Sequence, residues 1–318
     1  MSENSPDASS RMATAHARSS HSSEPLRQAF RHLGYEVIPF KKTRDAVLAY
    51  VPKDVPLTVT ASSAKGQDAT IDLAVQLTCD GYTVAPHLSA RQVIDRAYLA
   101  SIVARCREAG ITSVFVIGGD RGSAPTEFRD AHDLLVALHE LEHGFTDIGI
   151  GGHPEGHPAV SDEVLFAALK DKIPLATHIK TQIVFDPKVI ARWAQELVRR
   201  RIDLPVYVGM PGTVSRQKLL RVSSGIGIGE SAKFLKKQQS LLWRFFGPGG
   251  YNPDKIIRGL ATNFSEADNH LAGFHVFTFN DLGPTEAWRQ KSLRRLHLQA
   301  DSPAPVPAGA VKPEPEHA

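Results

Sequence analysis

The sequence predicts an α/β fold, a single (β/α)8 TIM barrel with a disordered tail at each end. Short β-branched runs alternate with amphipathic segments through the middle of the chain, and that alternation implies a parallel sheet. Eight such strands can be counted, and about 270 residues separate the tails, close to the ~250 typical of a closed eight-unit barrel. No glycine fingerprint follows the first two strands, which sets aside an open dinucleotide-binding sheet.

The elements follow in order. YEVIPF (35–40) and LTVTA (57–61) read as strands, and TIDLAVQLT (70–78) as a helix with Ile71, Leu73, Ala74 and Leu77 on one face. YTVAPH (82–87) is a strand. Residues 89–110 read as one long helix, with Ser89 as its N-cap and Gly110 just past its end. ITSVFVIGGD (111–120) is a strand, 127–142 a helix, DIGIGG (147–152) a strand and 161–172 a helix opening on Ser161 and acids. A strand within 175–185, a helix over 187–201 with Pro187 in its first turn, and a strand over 204–210 come next. Helical segments over 215–223, 229–246 and 253–262 follow, the last with Asn252 as cap and Pro253 at its first position. FHVFTFN (274–280) is the closing strand. The expected domain runs over 25–297, between tails at 1–24 and 298–318 that are Ser-rich and Pro/Ala-rich respectively.

Composition narrows the function. The chain has 318 residues, and 37 Lys and Arg against 34 Asp and Glu leave +3. So even a balance gives no basic field for a polyanion, and nucleic acid is not an expected partner. No apolar run approaches the ~20 residues of a membrane span, so no membrane association is expected and a cytoplasmic location is. Cys79 and Cys106, the two cysteines, make neither a disulfide scaffold nor a four-thiolate zinc site. Oligomeric state leaves no mark on the sequence.

In a parallel barrel the chemistry sits at the C-terminal ends of the strands. Polar residues recur there: Glu36 within the first strand, then Thr60, His87, Asp120, the run His153, Glu155 and His157, then Gln182 and Asn280. Unpaired polar groups are costly to bury, so this repetition points to a shared pocket. A metal is not expected at His153, Glu155 and His157, whose spacing is not helical and is broken by Pro154 and Pro158. GIGIG (225–229) lacks the spacing and context of a nucleotide motif and reads as a loop.

Several short motifs, in order, resemble the methylenetetrahydrofolate reductase family. YEVIPFK is similar to its first strand, and the resemblance carries the family's general acid onto Glu36. Val59-Thr60 matches the second strand. APHL (85–88) places His87 at a flavin site, and IGGD (117–120) carries Gly119 and a pterin-contacting aspartate onto Asp120. HPEGHP (153–158) covers His153, Glu155 and His157, KTQIVFD (180–186) places a folate-contacting glutamine at Gln182, and FHVFTFN matches the last strand. Lys170 and Lys172 match basic positions near the FAD phosphates. Other flavin-side positions depart from the pattern. Gly118 stands where the family has arginine, Asp130 and His153 where it has tyrosines, and Ala61-Ser62-Ser63 where it often has Y-G-A.

The resemblance implies an oxidoreductase that passes a hydride to 5,10-methylenetetrahydrofolate, or the reverse, with FAD as cofactor and NADH or NADPH as donor. A flavin-free version taking hydride directly from the nicotinamide is one alternative. A non-catalytic folate-binding barrel serving a methyltransferase partner is another. Opening the folate's one-carbon bridge needs a proton at N10, which a carboxylic acid supplies best when burial raises its pKa. The apolar neighbours of Glu36 suggest that setting. Asp120 would face the pterin as a second catalytic carboxylate, and Gln182 would offer a donor and an acceptor to its edge.

Overall fold

The computed structural model describes residues 23–62, 65–119, 125–157, 160–214, 253–265 and 269–298. They form a closed barrel of eight parallel strands in sequence order. The strands are β1 (Gly34–Val37), β2 (Leu57–Val59), β3 (Val84–Ser89), β4 (Ser113–Ile117), β5 (Asp147–Gly152), β6 (His178–Thr181), β7 (Val206–Pro211) and β8 (Leu271–Phe277). The barrel closes where Tyr35 pairs with Val276 on one side and with Leu57 on the other.

Period-two alternation sorts each strand. Tyr35, Val37, Leu57, Val59, Val114, Val116, Ile148, Ile150, Val208 and Val276 are buried in the apolar core beneath the helices. The residues between them face inward. Many are polar where barrels of this kind are usually filled by branched apolar side chains. That substitution of chemistry for packing makes the site.

The helices are α1 (Ser23–Arg31), α2 (Thr43–Tyr50), α3 (Gly66–Cys79), α4 (Arg96–Glu108), α5 (Ala131–His139), α6 (Asp162–Lys172), α7 (Pro187–Arg199), α8 (Asp254–Leu260) and α9 (Leu282–Leu298). The expected face of α3, Ile71, Leu73, Ala74 and Leu77, is the buried one. Two expectations need correcting. Ser89 does not cap a helix; it ends β3 fully buried, and α4 starts seven residues later behind Asp95, whose carboxylate accepts from the Tyr98 N–H at 2.7 Å. Ala90 and Val93 are buried, so the apolar rhythm that suggests an early helix comes from a packed loop. Gly110 does follow α4 with φ 75°, a left-handed turn that glycine takes without steric cost. The residue preceding α8 is Pro253, not Asn252, which lies outside the described residues, as do the expected helices over 215–223 and 229–246, the loop over 225–229 and most of both tails.

No strand or helix was expected at the positions of α1 and α9, yet they seal the β1–β8 seam. Phe30 packs edge-on against Phe274 at 5.8 Å and against Trp288 at 5.7 Å. The Tyr35 hydroxyl donates to Glu286 at 2.7 Å, and Arg289 pairs with the same carboxylate.

Asn280 turns out to be a clip rather than a site residue. It sits in the left-handed region (φ 56°), which asparagine tolerates better than most. Its amide accepts from the Ile38 N–H and donates to the Ile38 carbonyl and the Thr43 hydroxyl, each near 2.9 Å. Asn280→Ala removes these bonds and leaves the Ile38 N–H without a partner, while the Ile38 carbonyl keeps the Thr43 hydroxyl at 2.7 Å. We expect a loss of about 2–3 kcal/mol of stability, read as a lower denaturant midpoint. An unchanged midpoint contradicts the clip.

Candidate active site

Glu36 lies in the middle of β1 and turns its carboxylate into the barrel, where the residue is nearly fully buried. Its partners come from around the ring. Thr60, one residue past β2, donates its hydroxyl to Oε1 at 2.9 Å. His275 on β8 places Nε2 3.0 Å from Oε2. A carboxylate only accepts, so the ring proton belongs on that nitrogen. His87 on β3 brings its own Nε2 to 3.6 Å from the same oxygen, beyond hydrogen-bond reach, and leans on the Phe115 ring at 4.7 Å. Lys180 on β6 holds its ammonium 5.5 Å from the centre of the same Phe115 ring.

The charges follow from this packing. Burial alone raises the Glu36 carboxyl, as its apolar strand suggests. The His275 hydrogen bond, the charge interactions with His87 and His275, and the Thr60 hydroxyl together outweigh that and hold it below its ordinary value. The expectation of an acid raised toward neutrality is therefore corrected for the free chain, in which Glu36 is a carboxylate. Burial, partly offset by Glu36, pushes His87 down to about 4 and lowers His275. It also brings Lys180 down to about 8, against the pull of Asp147 and Glu36.

The other expected residues fall into two places. Gly119, past the end of β4, has φ 78° and passes so close to β3 that a Cβ would sit 1.9 Å from the Ser89 hydroxyl; Arg91 holds its carbonyl at 2.5 Å. Asp120, the next residue, lies outside the described residues. Beyond β5, His153 and His157 meet edge to face at 5.9 Å, beside Lys172 at the end of α6. Burial, the Lys172 charge and His157 push His153 down to about 4. Glu155 accepts from the Phe185 N–H at 3.2 Å. Lys170 is exposed on α6. Gln182 follows β6 with its backbone N–H on the Gly152 carbonyl at 2.8 Å and its side chain exposed. Thus Glu36, Thr60 and His87 come together, His153, His157 and Lys172 form a second group, and Gln182 and Lys170 stand in neither.

Sequence reasoning missed two members of the first group. His275 sits in FHVFTFN and Lys180 in KTQIVFD, both within recognised motifs. Strand alternation is the signal that finds them: Lys180 shares its face with Gln182, and His275 shares its face with Phe277, the residue paired with Glu36.

The two neutral rings give a pH dependence with a definite sign. An unfolded histidine takes up a proton near 6.5, whereas His87 and His153 in the folded chain do so near 4. Between those values the unfolded state binds more protons, so stability falls as pH falls. Each ring contributes a slope of at most about 1.4 kcal/mol per pH unit. Urea midpoints measured from neutral pH downward should decline through this window, and a flat profile rules it out.

A closed (β/α)8 barrel with a buried carboxylate gripped by an imidazole and a hydroxyl at its centre defines an enzyme-type barrel rather than a packed scaffold. The chain belongs to the methylenetetrahydrofolate reductase family, whose model matches residues 40–229. It is thus an oxidoreductase of that type, on a TIM barrel, and its chemistry is that of folate one-carbon units. Glu36 and His275 lie outside the matched span. Solved structures of similar shape include a putative lyase/mutase from Burkholderia cenocepacia (16% identical, covering 90% of this chain and 94% of that one, TM-score 0.44). A 2,3-dimethylmalate lyase of the PEP mutase/isocitrate lyase superfamily (11%, 87% of each chain, TM-score 0.48) and a Ruminococcus gnavus sialic acid aldolase (10%, 85% and 78%, TM-score 0.46) are others. These distant likenesses carry no functional argument. Among the described residues no helix is long and apolar enough to cross a membrane.

Proposed function

We propose that this barrel reduces 5,10-methylenetetrahydrofolate to 5-methyltetrahydrofolate, or runs the reverse, with Glu36 as the proton donor to N10. The observation that carries the proposal is the buried Glu36 carboxylate held by His275 and Thr60 inside the barrel. A structural acid would be paired with a fixed cation. Glu36 instead has two imidazoles and a hydroxyl at its oxygens, with the Lys180 ammonium acting on it through its field alone, a setting that lets it change protonation state. Its lowered pKa in the free chain fits the role once substrate is included. Burial is already its largest single influence, and a pterin laid over the carboxylate strips the remaining water and strengthens it. Glu36 then takes up a proton as folate binds and gives it to N10, opening the bridge to an N5 iminium that a hydride reduces. Gln182, exposed at the end of β6, is free to meet the pterin edge. Asp120 is proposed for the same ring on the strength of the resemblance alone.

FAD is proposed as the resident hydride carrier, and NADH or NADPH as its donor. Two findings support a ligand beside β3: both ring nitrogens of His87 and the Ser89 hydroxyl are buried without a hydrogen-bond partner. The resemblance adds Thr60, Gly119, His153, Glu155, His157 and Lys172 as further contacts, and Lys170, exposed on α6, as a second cation. The flavin would supply the hydride, and the chain's residues orient it and exclude water. One observation favours the flavin-free reading. Asp130 caps α5 through the His132 and Asp133 N–H groups, and its charge opposes that of Lys172, where an FAD phosphate would need a free cation. A barrel spanning 25–297 as one catalytic domain completes the proposal.

The test incubates the purified chain with 5,10-methylenetetrahydrofolate and NADH or NADPH, with and without added FAD. Formation of 5-methyltetrahydrofolate is expected, and its absence under all conditions refutes the proposal. Flavin absorption at one equivalent per chain refutes the flavin-free version.

A further inference from the structure

The barrel is open at its other end as well. The N-terminal face of such a barrel is ordinarily the stabilising one. Here a cavity of about 340 Å3 lies among the first residues of the strands. Its wall includes Ser113, Asp147, His178, Lys180, Tyr207 and His275, a polar set able to hold water. At about 30 Å3 per molecule, several waters fit. His178 shows the need for them. Its Nδ1 is fixed 2.9 Å from the Asp147 carboxylate, while its Nε2 is buried with no partner.

His275 belongs to both ends. It stands on the cavity wall, and its Nε2 is 3.0 Å from Glu36. One imidazole therefore separates the cavity from the carboxylate. The other Glu36 oxygen is taken by Thr60, next to where folate would enter. With folate seated over the C-terminal mouth, that side is closed to solvent, yet each turnover consumes a proton.

We propose that Glu36 is reprotonated from the N-terminal face, through water in this cavity and the His275 ring, on the side opposite to the substrate. The proposal rests on the reading of Glu36 as proton donor. A proton arrives at Nδ1 of His275, the Nε2–H bond breaks, and that proton joins Oε2 of Glu36. The ring is left neutral as the Nδ1–H tautomer, and once Glu36 has given up its proton, exchange of the ring protons with the cavity water restores the Nε2–H form. No other charge moves. The groups facing this path are His87, Lys180, Asp147 and His178. The Lys180 ammonium lies within the fields of both Glu36 and Asp147 and offsets the negative charge along the route.

The test needs no substrate. In the full-length chain labelled with 15N-histidine, the His275 ring signal is assigned by its loss in His275→Gln, and its Nε2–H exchange with solvent is measured. Ser113→Leu and, separately, Ala85→Val add bulk to the cavity wall from β4 and β3, strands other than those that carry Glu36 and His275. Thermal unfolding verifies the fold of each, and the milder Ala85→Val stands alone if the other does not fold. Slowing of the exchange by about tenfold or more is expected. Unchanged exchange in a folded variant overturns the path, whether or not the chain turns over folate. Folate turnover by the unsubstituted chain tests the reading of Glu36 separately. Where turnover is seen, the filled variants should lose kcat at unchanged KM and regain part of it with added imidazole; a kcat equal to that of the unsubstituted chain also overturns the path.

Discussion

Glu36→Gln should keep folate binding and lose turnover by a factor of about 10²–10⁴, the usual worth of a general acid. The amide is nearly isosteric, and its oxygen can still accept from Thr60 or His275. The cluster of side chains should therefore stay in place while the transferable proton is lost. A steady-state assay with separate folate binding makes the distinction. If turnover is unchanged, Glu36 is not the donor. If binding and turnover vanish together, the carboxylate holds the ring rather than protonating it. His87 and His275 do not substitute, because burial keeps both rings neutral near pH 7.

The second large effect concerns the backbone that carries Gln182. At Gly209 on β7 an added Cβ would lie 2.2 Å from the Thr181 carbonyl oxygen and 2.7 Å from that of Gln182. Backbone cannot step aside as a side chain can, so Gly209→Ala must push β6 and β7 apart. The Gly209 N–H is also tied to the Thr181 hydroxyl at 2.8 Å. The expected cost is about 3 kcal/mol. That lowers Tm by roughly 6–12 °C in a chain of this size. Because Gln182 rides on the displaced strand end, KM for folate should rise as well. A variant with unchanged Tm would mean the strands are not packed as described. By contrast, a Cβ at Gly151 meets nothing, so Gly151→Ala is the matched control, with little change expected.

Much of this architecture was legible because strands announce themselves by β-branched runs and the barrel needs only their count and alternation. The buried cluster around Glu36 was half legible. Glu36, Thr60 and His87 could be named because strand ends are where such barrels place chemistry. His275 escaped because alternation along β8 gives only its face; that this face meets Glu36 depends on the register of β8 against β1, a long-range pairing. The direction of the Glu36 pKa failed for the same reason. The apolar neighbours in sequence are Val37 and Ile38, but strand alternation sends Val37 to the outer core, and the carboxylate meets histidines from β3 and β8 instead. The helix start at Ser89 failed for a different cause. Ala90 and Val93 supply helical spacing, yet both are buried as loop residues where β3 runs on to Ser89. Asn280, set among pocket residues by its position, is instead used up by Ile38 and Thr43.

In the proposed chemistry the Glu36 carboxylate becomes a carboxylic acid only when folate covers it. Calorimetric titration with a folate, repeated in buffers of different ionisation enthalpy at about neutral pH, counts the protons taken up on binding. Uptake of close to one proton per chain by the unsubstituted protein and none by Glu36→Gln is the predicted result. Equal uptake by the two proteins, or none by either, would contradict the account.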